Sequence, residues 1–324
     1  MSPPAATSKA TDGNASVSAG VDPTALMRIK SLQLRAKTVV DGFFSGLHRS
    51  PTHGSSIEFS EYRAYVPGDD LRNLDWKLYA RSDRYFVKKF EDETNRRCYL
   101  LVDLSRSMDY GSLEYSKLQY ARTVAATLAY FIIMQHDAVG VLSFDDELGD
   151  FLPAKSGAKH FHQILVELSK ATGGTGTDLE KPLEQVTTLV PRRGLVVLIS
   201  DLLADTEVLR QQLAAMKARD HEVVILRTLD PRELDFELEQ SASYVDMENN
   251  AGFFIDPQTV KDNYLARFRE HQQQVESICK DLGIGFHTLP TDQPLDSALA
   301  ELINTRNKVA GPRRRSARRT RGGK

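Results

Sequence analysis

Cysteine is nearly missing from this chain of 324 residues: Cys98 and Cys279 are the only two, and neither belongs to a CxxC. That excludes a disulfide framework and a zinc ribbon, and it predicts reduced, buried thiols. No apolar run approaches the roughly 18 residues that a membrane-crossing helix needs. The opening stretch, MSPPAATSKATDGNASVSAG, has no apolar core. It excludes a secretory signal and predicts a floppy leader over residues 1–24. Together these absences predict a cytoplasmic protein. Histidines are few and scattered. His160 and His162 form a close pair, but two residues apart on a helix they face different directions, so no metal role is expected of them.

What charge there is lies unevenly. The formal net charge is −2, yet the last twelve residues, RRRSARRTRGGK, hold seven Lys or Arg and no acid. Without them 35 positive residues face 44 negative ones, an acidic body at −9 with a basic tail. Residues 307–324 are therefore expected to be a disordered appendage. The tail also offers a nucleic-acid contact, which would show as steeply salt-dependent binding.

Residues 25–48 carry Leu26, Ile29, Leu32, Leu34, Val39, Phe43 and Leu47 at near-helical spacing and read as a helix. The block that follows, to about residue 95, is crowded with charge but holds Trp76 and several Tyr and Phe. Its aromatic content predicts folded short strands and turns rather than disorder. Arg63, Arg72 and Arg81 facing Asp69, Asp70 and Asp75 would clamp it onto its neighbour through forked ion pairs.

From residue 96 to 306 the pattern changes. CYLLVDLS, AVGVLSF, GLVVLIS, EVVILRTL and IGFHTL are short, apolar and without strict alternation. Strands covered on both faces read this way. Helical segments separate them, at Tyr115–Gln135, His160–Ala171, Asp178–Val190, Thr206–Arg219, Val260–Leu282 and Asp296–Arg306. The first of these is apolar nearly all round and should be deeply buried. The alternation predicts an α/β fold with a doubly wound, mostly parallel sheet.

In such a sheet ligands sit beyond the C-terminal strand ends, at the point where the strand order reverses. Asp103 ends the first apolar run and is followed by Ser105 and Ser107; Asp201 ends a later one; TGGTGTDLEKPL brings Thr175 and Thr177 between them. These are all hard oxygens, with no Cys or His, and they suit Mg²⁺, Mn²⁺ or Ca²⁺. Blander roles stand beside this one. Asp103 and the serines could cap a helix, and so could Asp201 for the helix near Thr206. The Gly-rich turn could be a phosphate nest, although it lacks P-loop spacing.

The D-x-S-x-S element, the Gly-Gly-Thr loop and the later Asp resemble the metal ion-dependent adhesion site of von Willebrand factor type A domains. The resemblance implies metal ligation by Asp103, Ser105, Ser107, Thr177 and Asp201, with Thr177 favoured over Thr175. It also implies an open metal position taken by a partner's Asp or Glu. The preceding block carries Glu58, Phe59, Arg63, Tyr65, Gly68, Asp69, Asp70, Arg72, Asp75, Trp76, Ala80, Arg81 and Phe90 ahead of that strand. Over about residues 28–305 the chain is similar to the bacterial domain-of-unknown-function family 58. That resemblance implies a companion of MoxR-type AAA+ ATPases in complex assembly or maturation. The expectation is thus a non-enzymatic, metal-dependent adaptor with a chaperone-like role. The alternative is a Mg²⁺-dependent, phosphatase-like hydrolase using the same acids, which would need a base or a phosphate-clamping Lys or Arg at the strand ends.

Overall fold

The computed structural model describes residues 20–49, 62–64, 86–88, 97–145, 148–170, 180–190, 193–236, 242–245, 252–255 and 257–309. The apolar runs pair into one six-stranded sheet. In chain order its strands are β3 (Arg97–Asp103), β4 (Ala138–Phe144), β5 (Leu148–Lys155), β6 (Leu195–Ser200), β7 (Glu222–Leu229) and β10 (Gly285–Pro290). Their spatial order is β10-β7-β6-β3-β4-β5, and every pair is parallel except β4 with β5. Two short antiparallel pairs stand apart: β1 (Tyr62–Ala64) with β2 (Phe86–Lys88), and β8 (Ala242–Val245) with β9 (Gly252–Ile255).

Alternation of side chains along each strand divides the interior into two cores. Cys98, Leu100 and Val102 of β3 face one side with Val197 and Ile199 of β6. They pack there against helices α3 (Lys117–Met134), α4 (Ala158–Leu168) and α9 (Asp296–Val309). Tyr99 and Leu101 face the other side with Val196 and Leu198. Helices α5 (Glu180–Leu189), α6 (Thr206–Ala218) and α8 (Pro257–Leu282) cover that side. The doubly wound reading therefore holds. The thiols of Cys98 and Cys279 are buried, one in each core.

The expected helix over 25–48 is two helices, α1 (Pro23–Met27) and α2 (Leu32–Arg49). Asp22 caps α1 by accepting from Thr24 N and Ala25 N, and Arg35 holds the break by donating to the carbonyls of Met27 and Ile29. Ala36, Val39 and Val40 of α2 lie fully buried in the first core, and Phe44 stacks on Phe131 of α3 at 5.9 Å. The N-terminal helices thus share the main core. Nearly all of the charged block, including Asp69, Asp70, Asp75, Trp76 and Arg81, lies outside the described residues, as do Thr175, Thr177 and residues 310–324 of the basic tail, whose first residues, 307–309, instead end α9. Among the described residues no helix is long and apolar enough to cross a membrane.

Gly140 occupies the middle of β4, opposite a register shift in β5 between Val139 and Val141. A Cβ there would lie 2.7 Å from the Leu152 carbonyl oxygen and 2.9 Å from Cδ1 of Tyr99. One of those contacts is backbone, so the bulged edge strand depends on the missing side chain. Gly140→Ala should lower unfolding free energy by about 1–3 kcal/mol, the usual cost of overpacking a close-packed interior. Urea denaturation measures this, and an unchanged midpoint would refute the close approach.

Candidate functional site

The chain turns back on itself at β3. Its next strand, β4, lies on one side, whereas β6, β7 and β10 extend on the other. The crevice beyond the ends of β3 and β6 is therefore the topological switch point. Asp103 and Asp201 stand at those two ends, and both are wholly buried.

The local bonding settles what the D-x-S-x-S segment does not do. Asp103 Oδ1 accepts from the Ser105 backbone N–H at 2.8 Å, closing a tight turn. The chain then enters a 3₁₀ turn, Arg106–Asp109, anchored by fully buried Met108. Ser105 precedes that turn without capping it through its side chain. Helix α3 is capped instead by Ser116, and α6 by Asp205, which accepts from Glu207 N and Val208 N. Asp103, Ser105, Ser107 and Asp201 are thus free of the capping roles that their residue types suggest. The Ser105 and Ser107 hydroxyls instead converge, 3.1 Å apart.

Further groups join them. Ser200 Oγ donates to Asp103 Oδ2 at 2.5 Å and accepts from the Leu202 N–H at 2.9 Å. Leu202 is held at φ +56° with its side chain fully buried. A branched residue in the left-handed region costs of order 1–2 kcal/mol. The turn after Asp201 is thereby fixed by burial of its own strained leucine. Asp201 Oδ1 accepts from Leu203 N at 3.3 Å, and its Oδ2 accepts from Lys117 Nζ at 2.8 Å.

Lys117 is the centre of a second layer. It is the first residue of α3, and no part of its side chain is exposed. Its ammonium also donates to Glu233 Oε1 at 2.6 Å, and its backbone N–H to the Tyr110 carbonyl at 2.8 Å. Glu233 lies in the short helix α7 (Pro231–Asp235), where it closes a capping box with Asp230. Asp230 Oδ2 in turn accepts from Ser112 N at 2.7 Å. Lys117 therefore ties together the loops that follow β3, β6 and β7. On the flank, buried Arg227 donates through Nε to the Asp201 carbonyl at 3.0 Å. His271 of α8 lies 3.2 Å from the Ala204 carbonyl. His160, by contrast, sits with Nε2 2.8 Å from the Val139 carbonyl and His162 is exposed, so the histidine pair is no ligand set.

The electrostatics divide the two acids. No Lys, Arg or His among the described residues lies in ion-pair contact with Asp103. Burial and then the charge of Asp201 push its carboxyl up to about 6, against the hydrogen bonds from Ser105 and Ser200. For Lys117 burial works downward, but the charges and hydrogen bonds of Asp201 and Glu233 outweigh it and hold the ammonium above the ordinary lysine value. Asp201 thus has its own cation, and among the described residues Asp103 has none. A divalent ion fits this vacancy in charge: hard oxygens converge beside an uncompensated buried carboxylate. Among the described residues no three His, Cys, Asp or Glu side chains form a metal-holding group, so an ion here would rest on the hydroxyls as well.

Of the residues expected at the site, Asp103, Ser105, Ser107 and Asp201 gather at one sheet edge; Thr177 lies outside the described residues. Sequence reasoning missed Ser200, Lys117, Asp230 and Glu233. The one available signal was a lysine in the first turn of an otherwise apolar helix.

Two outcomes follow for stability. Lys117→Met leaves Asp201 and Glu233 buried without a cation and should cost about 3–5 kcal/mol in chelator, read by urea denaturation; a loss under 1 kcal/mol would contradict the ion triad. Asp103 has a raised value, so the native state holds its proton where the unfolded chain has released it. The stability from neutral Asp103 is complete below the ordinary aspartate range and lost as pH rises through about 6. In chelator, the wild type should therefore lose stability relative to Asp103→Asn between pH 4 and 7. A flat difference would mean that the carboxylate is solvated.

The family described as Protein of unknown function DUF58 matches residues 61–274. The chain is similar to Uncharacterized protein Rv1480 of Mycobacterium tuberculosis, at 29% identity over 296 residues, covering 89% of this chain and 92% of that one. It is also similar to Uncharacterized protein YeaD of Bacillus subtilis, at 29% over 141 residues, 44% of this chain and 33% of that one. Among solved structures, conserved hypothetical protein BatB from Bacteroides thetaiotaomicron aligns at 16% identity and TM-score 0.47, over 67% of this chain and 100% of that chain. The SpRpn10 VWA domain aligns at 13% identity and TM-score 0.40, over 63% and 93%. With the match spanning more than half of its length, the chain belongs to the DUF58 family.

Proposed function

We propose that this chain is a metal-dependent protein-interaction module. A divalent cation, Mg²⁺ or else Mn²⁺ or Ca²⁺, is held by Asp103, Ser105 and Ser107, with Asp201 and Thr177 as the remaining ligand positions. The observation that carries this reading is the buried Asp103 carboxylate with two converging hydroxyls and, among the described residues, no cation in ion-pair contact. When bound, the ion supplies an electrophilic position for an acidic side chain of another protein. The chain's own residues do the rest. Ser200 and the Ser105 N–H fix both oxygens of Asp103, and Met108 and the strained Leu202 hold the two loops rigid. Leu203, 43% exposed two residues beyond Asp201, gives an arriving segment an apolar foothold beside the polar site.

The partner in this reading is a MoxR-type AAA+ ATPase, or a client presented to it, and the setting is the cytoplasm. Two buried cysteines that lie in separate cores and form no disulfide with each other support a reducing compartment. We take the role to be that of an adaptor with a chaperone-like function rather than an enzyme. A phosphatase would need a phosphate-clamping Lys or Arg at the strand ends; Lys117 is committed to two carboxylates, which leaves Arg106 as the residue that reading would have to use.

Metal and partner should stabilise each other by linkage. Immobilised wild type should retain the co-expressed ATPase in Mg²⁺ and release it in EDTA. Asp103→Asn, with an unchanged circular dichroism spectrum, should retain none in either. Capture that survives both the chelator and the substitution would end this proposal.

A further inference from the structure

Lys117 is unusual in three respects at once. Its side chain is wholly buried, its ammonium bonds two carboxylates at 2.8 and 2.6 Å, and it opens a helix of 18 residues. A cation is disfavoured at a helix N-terminus, where the backbone N–H groups already present positive charge. Helix propensity therefore does not explain its place; the acids do. One of those acids, Asp201, is also an expected metal ligand, and both of its oxygens are already engaged, by Lys117 and by Leu203 N. Asp103, on the neighbouring strand, meets no such cation among the described residues.

We propose that Lys117 is a resident counter-cation of the metal site, occupying the negative charge of Asp201 and Glu233 so that a divalent ion must rely on Asp103, Ser105 and Ser107. The inference rests on the metal-binding reading above and adds a determinant of affinity to it. Two effects follow from Coulomb's law at short range in a water-poor site. The ammonium repels the incoming ion, which keeps metal binding weak and reversible. It also cancels carboxylate charge that would otherwise quench the ion, so a loaded site retains positive potential for an acidic ligand. Glu233 shares the ammonium with Asp201. Removing Glu233 concentrates the lysine on Asp201 and removes a negative charge, so metal binding should weaken.

A purely structural lysine predicts the opposite sign. If Lys117 only braced the loops, its loss would loosen Asp201 and reduce metal affinity. The test is a Mn²⁺ titration of the full chain, following free Mn²⁺ by electron paramagnetic resonance. We expect Lys117→Met to bind Mn²⁺ at least tenfold more tightly than the wild type, and Glu233→Gln at least threefold more weakly. Equal or weaker binding by Lys117→Met overturns the proposal while leaving the metal site standing. Should Lys117→Met fail to fold even in Mn²⁺, Glu233→Gln decides alone, and affinity equal to or above wild type overturns the proposal. No Mn²⁺ bound by the wild type removes the metal site and this inference together, with Asp103→Asn serving as the control for ligand loss.

Discussion

The ion triad of Asp201, Lys117 and Glu233 is the constraint on which the functional edge of this molecule depends. Three loops leave three different strands; buried Met108 and Leu202 anchor single turns within two of them. Lys117 reaches two of them with its ammonium and the third through its own backbone. Its partners are buried, so the bonds are strong where they form and costly where they fail. A neutral triad of similar shape could fill the same space. It would not set one acid of a pair at rest while leaving the other exposed to that pair's electrostatic field.

The sheet makes this possible by restricting where charge can go. With helices on both faces, alternate residues of β3 and β6 feed two separate apolar cores. Polar side chains on those strands therefore have only the ends available to them. Ser200 and Asp103 occupy such ends and satisfy one another, as buried polar groups must. The C-terminal edge gains a further asymmetry from the reversal of strand order between β3 and β6. Charge collects at that edge because it has no other outlet.

Much of this was legible in the sequence, for identifiable reasons. Continuous apolar runs announced the parallel strands, and the all-round apolarity of α3 announced its burial. β5 escaped because LGDFLPAK is a polar edge strand containing a proline, and β8 and β9 escaped because they are short and lie off the main sheet. The break between α1 and α2 hid inside a spacing that remains helical across it. At the site, Asp103, Ser105, Ser107 and Asp201 were readable because residue type and strand-end position coincide. Lys117 and Glu233 were not, since each stands where a solvated charge would be ordinary. Only their tertiary meeting, 116 residues apart, gives them a role.

That meeting also alters how the D-x-S-x-S pattern should be understood in this chain. Two carboxylates and two hydroxyls at a strand edge, taken as a sum, suggest an ion held by both acids equally. The structure breaks that symmetry. Asp201 accepts from an ammonium and a backbone N–H, whereas among the described residues Asp103 accepts from a backbone N–H and from serine hydroxyls. The demand for positive charge is therefore concentrated at Asp103, beside the two serines. A buried carboxylate in that position either holds its proton or waits for a cation. In the metal reading proposed above, Lys117 sets which of these prevails by how much of the surrounding negative charge it has claimed, without being a ligand itself.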